Sequence, residues 1–107
     1  MDIQNQPATI DDALIKLMQE RALHPEEHPG CGLFEIINYK PYDGDTKHMW
    51  DRNNPDEVEA AKTMFETFKK KKYAIFATDK NGEKGEQVRE FNAMAERYIF
   101  VPPMQGG

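Results

Sequence analysis

Three histidines, His24, His28 and His48, and a single cysteine, Cys31, are the side chains best able to do chemistry in this chain. Three of the four crowd into His24-Pro25-Glu26-Glu27-His28-Pro29-Gly30-Cys31, and imidazole nitrogen with thiolate sulfur is a donor set that zinc accepts. The spacing matches no standard zinc pattern, and Pro25 and Pro29 stiffen the segment that would wrap an ion. The expectation is no metal and no cofactor, with His24, His28, Cys31 and His48 the residues to watch. Cys31 lies between two glycines and could be an exposed nucleophile, but a thiol needs an adjacent base, and no histidine and acid can be paired with it from sequence alone. Glu26 and Glu27 sit in the same connector, and Asp43 and Asp45 in a turn, where a preorganised acid and base is not expected. No catalytic residue is assigned, and the chain is read as a non-enzyme.

The run Lys69-Lys70-Lys71-Lys72 could contact phosphates, with Tyr73 or Trp50 stacking on bases. Four lysines at the carboxyl end of a helix also complement its dipole and stay solvated. The net charge of −5 and a pI near 5.2 weigh against nucleic acid as a partner. No apolar run is long enough to cross a membrane, and the first residues lack the basic and apolar regions of a signal peptide. One cysteine cannot build an internal disulfide framework and fits a reducing compartment, so the expected location is cytoplasmic.

Elements must position these residues, and 107 residues allow one domain with one modest core. A first helix is expected from Thr9 or Asp11 to about Leu23, with Ile10, Leu14, Leu17 and Met18 on one face. Two prolines and two glycines over 24–32 end it and form a connector. Residues 33–40 and 46–51 read as a β-hairpin around the Asp43-Gly44 turn, with His48 and Trp50 on one face and Lys47, Met49 and Asp51 on the other. Asn54 as N-cap, Pro55 at the first position, acidic Asp56 and Glu57, and an apolar stripe of Val58, Ala61, Phe65 and Phe68 define a second helix. Residues 73–78 read as a buried strand, 86–91 as a polar edge strand, 92–96 as one helical turn capped by Asn92, and 97–101 as a last, central strand.

That order, strand-strand-helix-strand-strand-strand and then a tail ending Pro102-Pro103-Met104-Gln105-Gly106-Gly107, resembles the β-grasp fold of ubiquitin and of the small sulfur-carrier proteins. The resemblance covers about residues 33–107. It implies an α+β, ubiquitin-like β-grasp domain over 33–101, preceded by an N-terminal extension over 1–32 with one amphipathic helix, and followed by an extended tail over 102–107. In those families the last glycine is activated by an adenylating enzyme, which would make Gly107 the reacting residue and Gly106 its spacer. Pro102 and Pro103 depart from that pattern, because polyproline geometry suits a stiff, displayed or docked peptide. An ordinary frayed terminus is the third reading.

Trp50-Asp51, Pro55, Val58, Ala61, Phe65, Gly85-Glu86, Arg89-Glu90-Phe91, Ala95-Glu96 and Val101-Pro102 through Gly107 also look like small uncharacterised proteins of bacteriophages and prophages. That likeness implies a viral or mobile-element setting, in host cytoplasm or virion, and no activity. The functional expectation is a small protein-interaction module that docks a protein partner through its tail, its sheet face, or the helix residues Ile10, Leu14, Leu17 and Met18. That helix packs on its own body or reaches a homo- or hetero-oligomeric neighbour; both readings stand. The alternative is a ubiquitin-like carrier activated at its terminal Gly-Gly.

Overall fold

The computed structural model describes residues 12–37, 45–83 and 85–103. It is a mixed α/β fold with a five-stranded sheet and two helices: α1 (Asp12–Arg21), β1 (Cys31–Ile36), β2 (Thr46–Asp51), α2 (Pro55–Lys70), β3 (Ala74–Thr78), β4 (Glu86–Gln87) and β5 (Arg97–Val101), with a short 3-10 turn at Pro25–Glu27. The sheet order is β2-β1-β5-β3-β4. β1 and β5 run parallel, while β1–β2, β3–β5 and β3–β4 are antiparallel. The last strand is therefore interior, hydrogen-bonded to β1 on one side and β3 on the other.

α2 forms where its local signals place it. The Asn54 side chain accepts from the backbone N–H of Asp56 and Glu57, satisfying two of the otherwise unpaired donors of the first turn. Ala61, Phe65 and Phe68 are buried with Ala60 and Met64, so a whole apolar face is laid on the sheet. At the far end Tyr73 N–H donates to the Phe68 carbonyl and Lys72 N–H to the Lys69 carbonyl, at 3.1 and 3.0 Å. These are the two bonds of a Schellman cap, with Lys72 in the left-handed conformation at φ 70°. The accompanying apolar contact is Phe68 against Tyr73, ring centroids 4.8 Å apart.

Under α2 the core is aromatic. Phe34, Trp50, Phe65, Phe91, Tyr98 and Phe100 meet with centroids 4.8 to 6.4 Å apart, mostly tilted or edge-on, the arrangement ring quadrupoles favour. Gly32, Phe34 and Ile36 of β1 supply one side of it. A Cβ at Gly32 would fall 2.2 Å from the Trp50 ring. Gly32 is thus a strand residue that makes room for Trp50, and β1 begins at Cys31 rather than at 33. The strand expected over 86–91 is shorter, because beyond Val88 the chain turns inward to insert Phe91 between Trp50 and Phe65. Residues 92–96 hold one hydrogen-bonded turn, Ala95 N–H to the Asn92 carbonyl, instead of a turn of α-helix. The expected Asp43-Gly44 turn lies outside the described residues.

Candidate functional site

The outer face of the sheet, opposite α2, is built from the alternate residues of each strand. Cross-strand register sets Leu33 beside Met49 and Arg97, Ile99 beside Glu35 and Phe76, and Val101 beside Ala74. Leu33, Phe76, Ile99 and Val101 are all half-buried. At one end the connector folds back so that Pro25 and His28 wall a cleft of about 320 Å³ whose strand residues are Cys31, Leu33, Met49 and Arg97. This is why Met49 is 4% exposed although simple alternation puts it on the open face. Arg97 is spent within the sheet: it pairs with Glu35 and donates to the Lys80 carbonyl at 3.4 Å. Cys31 is a poor nucleophile here, because burial raises its thiol pKa more than the nearby Arg21 lowers it.

A second cluster lies where α1 meets β2. Glu57, in the first turn of α2, is 2% exposed and accepts from three elements. The Arg21 guanidinium grips it with both terminal nitrogens, Nη2 at 3.0 Å from Oε2, while Asp51 N–H donates to Oε1 at 2.7 Å and Asn54 Nδ2 lies 3.4 Å from Oε2. Arg21 also donates to the Met49 carbonyl at 3.3 Å. A buried carboxylate is tolerable only when paired and hydrogen-bonded in this way. Two residues earlier on α1, Gln19 Nε2 is 3.1 Å from Nε2 of His48. An amide nitrogen only donates, so the imidazole accepts at Nε2 and carries its proton at Nδ1. Burial lowers the His48 pKa to about 4, so the ring is neutral at pH 7.

The expected site residues distribute unevenly over these regions. On α1, Met18 is buried in the chain's own core and Leu14 packs against that core, whereas Leu17 is 44% exposed; Ile10 lies outside the described residues. Pro102 is half-buried and Pro103 exposed directly after the central strand, and 104–107 (Met104, Gln105, Gly106, Gly107) lie outside the described residues. The metal candidates do not converge. His48 pairs across from Phe34 on the core face, while Cys31 pairs with Asp51 on the outer face. His24 meets Glu26 and Glu27 instead, their ligating atoms within 4.8 Å of one another and all exposed. In the sequence Glu57 is legible only as a helix-end charge and Arg21 carries no signal, since nothing local pairs residues 36 positions apart.

Compared with protein-family models, with curated proteins and with solved structures, the chain finds no match. Among the described residues no helix is long and apolar enough to cross a membrane.

Proposed function

We propose that the chain is a non-enzymatic protein-interaction module on a ubiquitin-like β-grasp scaffold, meeting its partner through the outer face of the sheet. The observation that carries this reading is the half-buried row of that face, Phe76 directly paired with Ile99, with Leu33 and Val101 on neighbouring registers. A rigid sheet with apolar positions on one open face suits association by shape and apolar contact. The order β2-β1-β5-β3-β4, with parallel β1 and β5 and α2 across the other face, supports the β-grasp reading. The likeness to small phage and prophage proteins makes an accessory or assembly role the proposed setting. Leu17 on α1 and Pro103 after β5 are the accessible described residues of the other two expected docking elements.

The test is affinity capture from cells that express the chain, comparing wild type with Phe76→Lys and Ile99→Lys. The reading requires a partner retained by wild type and lost from both variants, each shown to be folded by circular dichroism. Equal recovery by all three sinks it.

A further inference from the structure

The seat of α1 on β2 combines strong anchoring with one ionisable group whose burial disfavours its charged form. His48 is 4% exposed, its Nε2 is occupied by Gln19, and its Nδ1 is buried with no hydrogen-bond partner among the described residues. We propose that α1 is an acid-released latch: protonation of His48 unseats the helix from β2 while the sheet and α2 stay folded.

The donor inventory supports this directly. A protonated imidazole has two N–H donors and no acceptor. Its Nε2–H would face the Gln19 amide N–H₂, donor against donor. Rotating that amide presents Oε1 and repairs that contact, but the ring then carries a full charge in the core, with Nδ1–H, unpartnered already in the neutral ring, still lacking an acceptor to share it. Among the described residues the surroundings offer no counter-charge. From α1 the charged neighbour is Arg21, committed to Glu57 and the Met49 carbonyl; from α2 it is Glu57, held by Arg21, Asp51 N–H and Asn54. β1 places Phe34 opposite the ring, and Lys47 and Glu35 are register partners on the other face of the sheet, where Glu35 is ion-paired with Arg97. Burial is accordingly the cause of the low proton affinity, with no described carboxylate opposing it.

Linkage fixes sign and size. The pKa is lowered in the docked state, so docking is strongest above 6.5 and weakens as pH falls toward about 4. At pH 5 a freed ring is protonated about 30 to 1 while the docked ring is mostly neutral, so the docking constant falls about 30-fold relative to pH 7.5. α1 contributes no strand to the sheet, so it can leave without breaking any of the strand pairs among the described residues.

Hydrogen exchange on the full chain, corrected for intrinsic rates, tests the latch. At pH 5 the α1 amides should lose about 30-fold protection relative to pH 7.5 and stand at least tenfold below the amides of β5. His48→Gln should flatten the α1 response. Gln19→Glu, which puts a carboxylate against the ring, should reverse it, so that α1 tightens as pH falls from 7.5 to 5. The proposal is overturned if α1 and β5 amides share one protection level at both pH values, because the helix then opens only with the whole fold. It is also overturned if His48→Gln keeps the wild-type drop. Should that variant fail to fold, Gln19→Glu decides alone: an α1 that still loosens in acid refutes the latch.

Discussion

α1 and α2 pack on the same sheet but are held by opposite kinds of contact. α2 is fixed by signals next to one another in the chain: an Asn54 cap, Pro55, a stripe of apolar residues and a Schellman end. Its apolar face is continuous with the aromatic core. α1 is ten residues long, places one fully buried apolar side chain, Met18, and relies on the polar contacts of Gln19 and Arg21 with residues far away in sequence. An isolated helix of that length is marginal in water. The difference teaches that α2 is part of what makes the domain fold, while α1 is conditional on partners that β2 and α2 supply.

The sharpest way to break the contrast is to remove the apolar anchor of α2. Phe65 is fully buried against Phe91, Tyr98 and Phe100. Phe65→Ala should cost about 4 kcal/mol by urea unfolding and weaken every element together. A loss below about 1 kcal/mol would mean that α2 is not the centre of the core.

Arg21→Ala makes the matching test on α1. It leaves the Glu57 carboxylate 2% exposed and without its cation, a change that typically costs about 3 kcal/mol. If α1 is conditional, exchange protection in α1 should collapse while β5 amides fall by less. A uniform loss across both would place the two helices in one cooperative unit and dissolve the comparison.

The same division explains what could be read from the chain before folding. α2, β3 and the interior position of β5 were legible because capping residues, a 3.6-residue apolar period and a continuous apolar run are local signals. Gly32 was misread as a connector residue, since a glycine beside a proline-rich segment looks like a breaker, and only the Trp50 ring shows why it belongs in a strand. Alternation sets Met49 on the face opposite His48 and Trp50, but it cannot foresee the connector that folds back beside it. The Glu57 cluster was invisible because its two charges, Arg21 and Glu57, come from different helices and a third partner is a backbone N–H of β2. Of the docking residues, Leu17 was found on the outside, but Met18, on the same expected stripe, belongs to the core.

Asn54→Ala probes the local side of the contrast more gently. The Asn54 side-chain Oδ1 accepts at 3.0 Å from Asp56 N–H and at 3.4 Å from Glu57 N–H, and such caps are worth about 1 kcal/mol. Asn54→Asp should retain most of that energy as a cap, yet it sets a second carboxylate beside Glu57 where Nδ2 now donates. Measured side by side in urea, Asp should therefore recover less than a cap alone predicts. Full recovery would show that the Asn54–Glu57 contact contributes nothing.

The smallest effect has the opposite sign. Lys72 holds φ 70° at the Schellman position, where a side chain with a Cβ is strained and glycine is not. Lys72 and its neighbour Lys71 are exposed, and the cap bonds are made by backbone atoms, so the lysine side chain is not required for the turn. Lys72→Gly should raise stability by about 0.5 to 1 kcal/mol, visible as a shift in the urea midpoint with an unchanged slope. Because the gain acts on α2, α1 exchange by local opening should not move. A stabilisation that also slows local opening of α1 would show that the two helices communicate, whereas a loss of stability would mean that the Lys72 side chain makes a contact worth more than the strain it imposes.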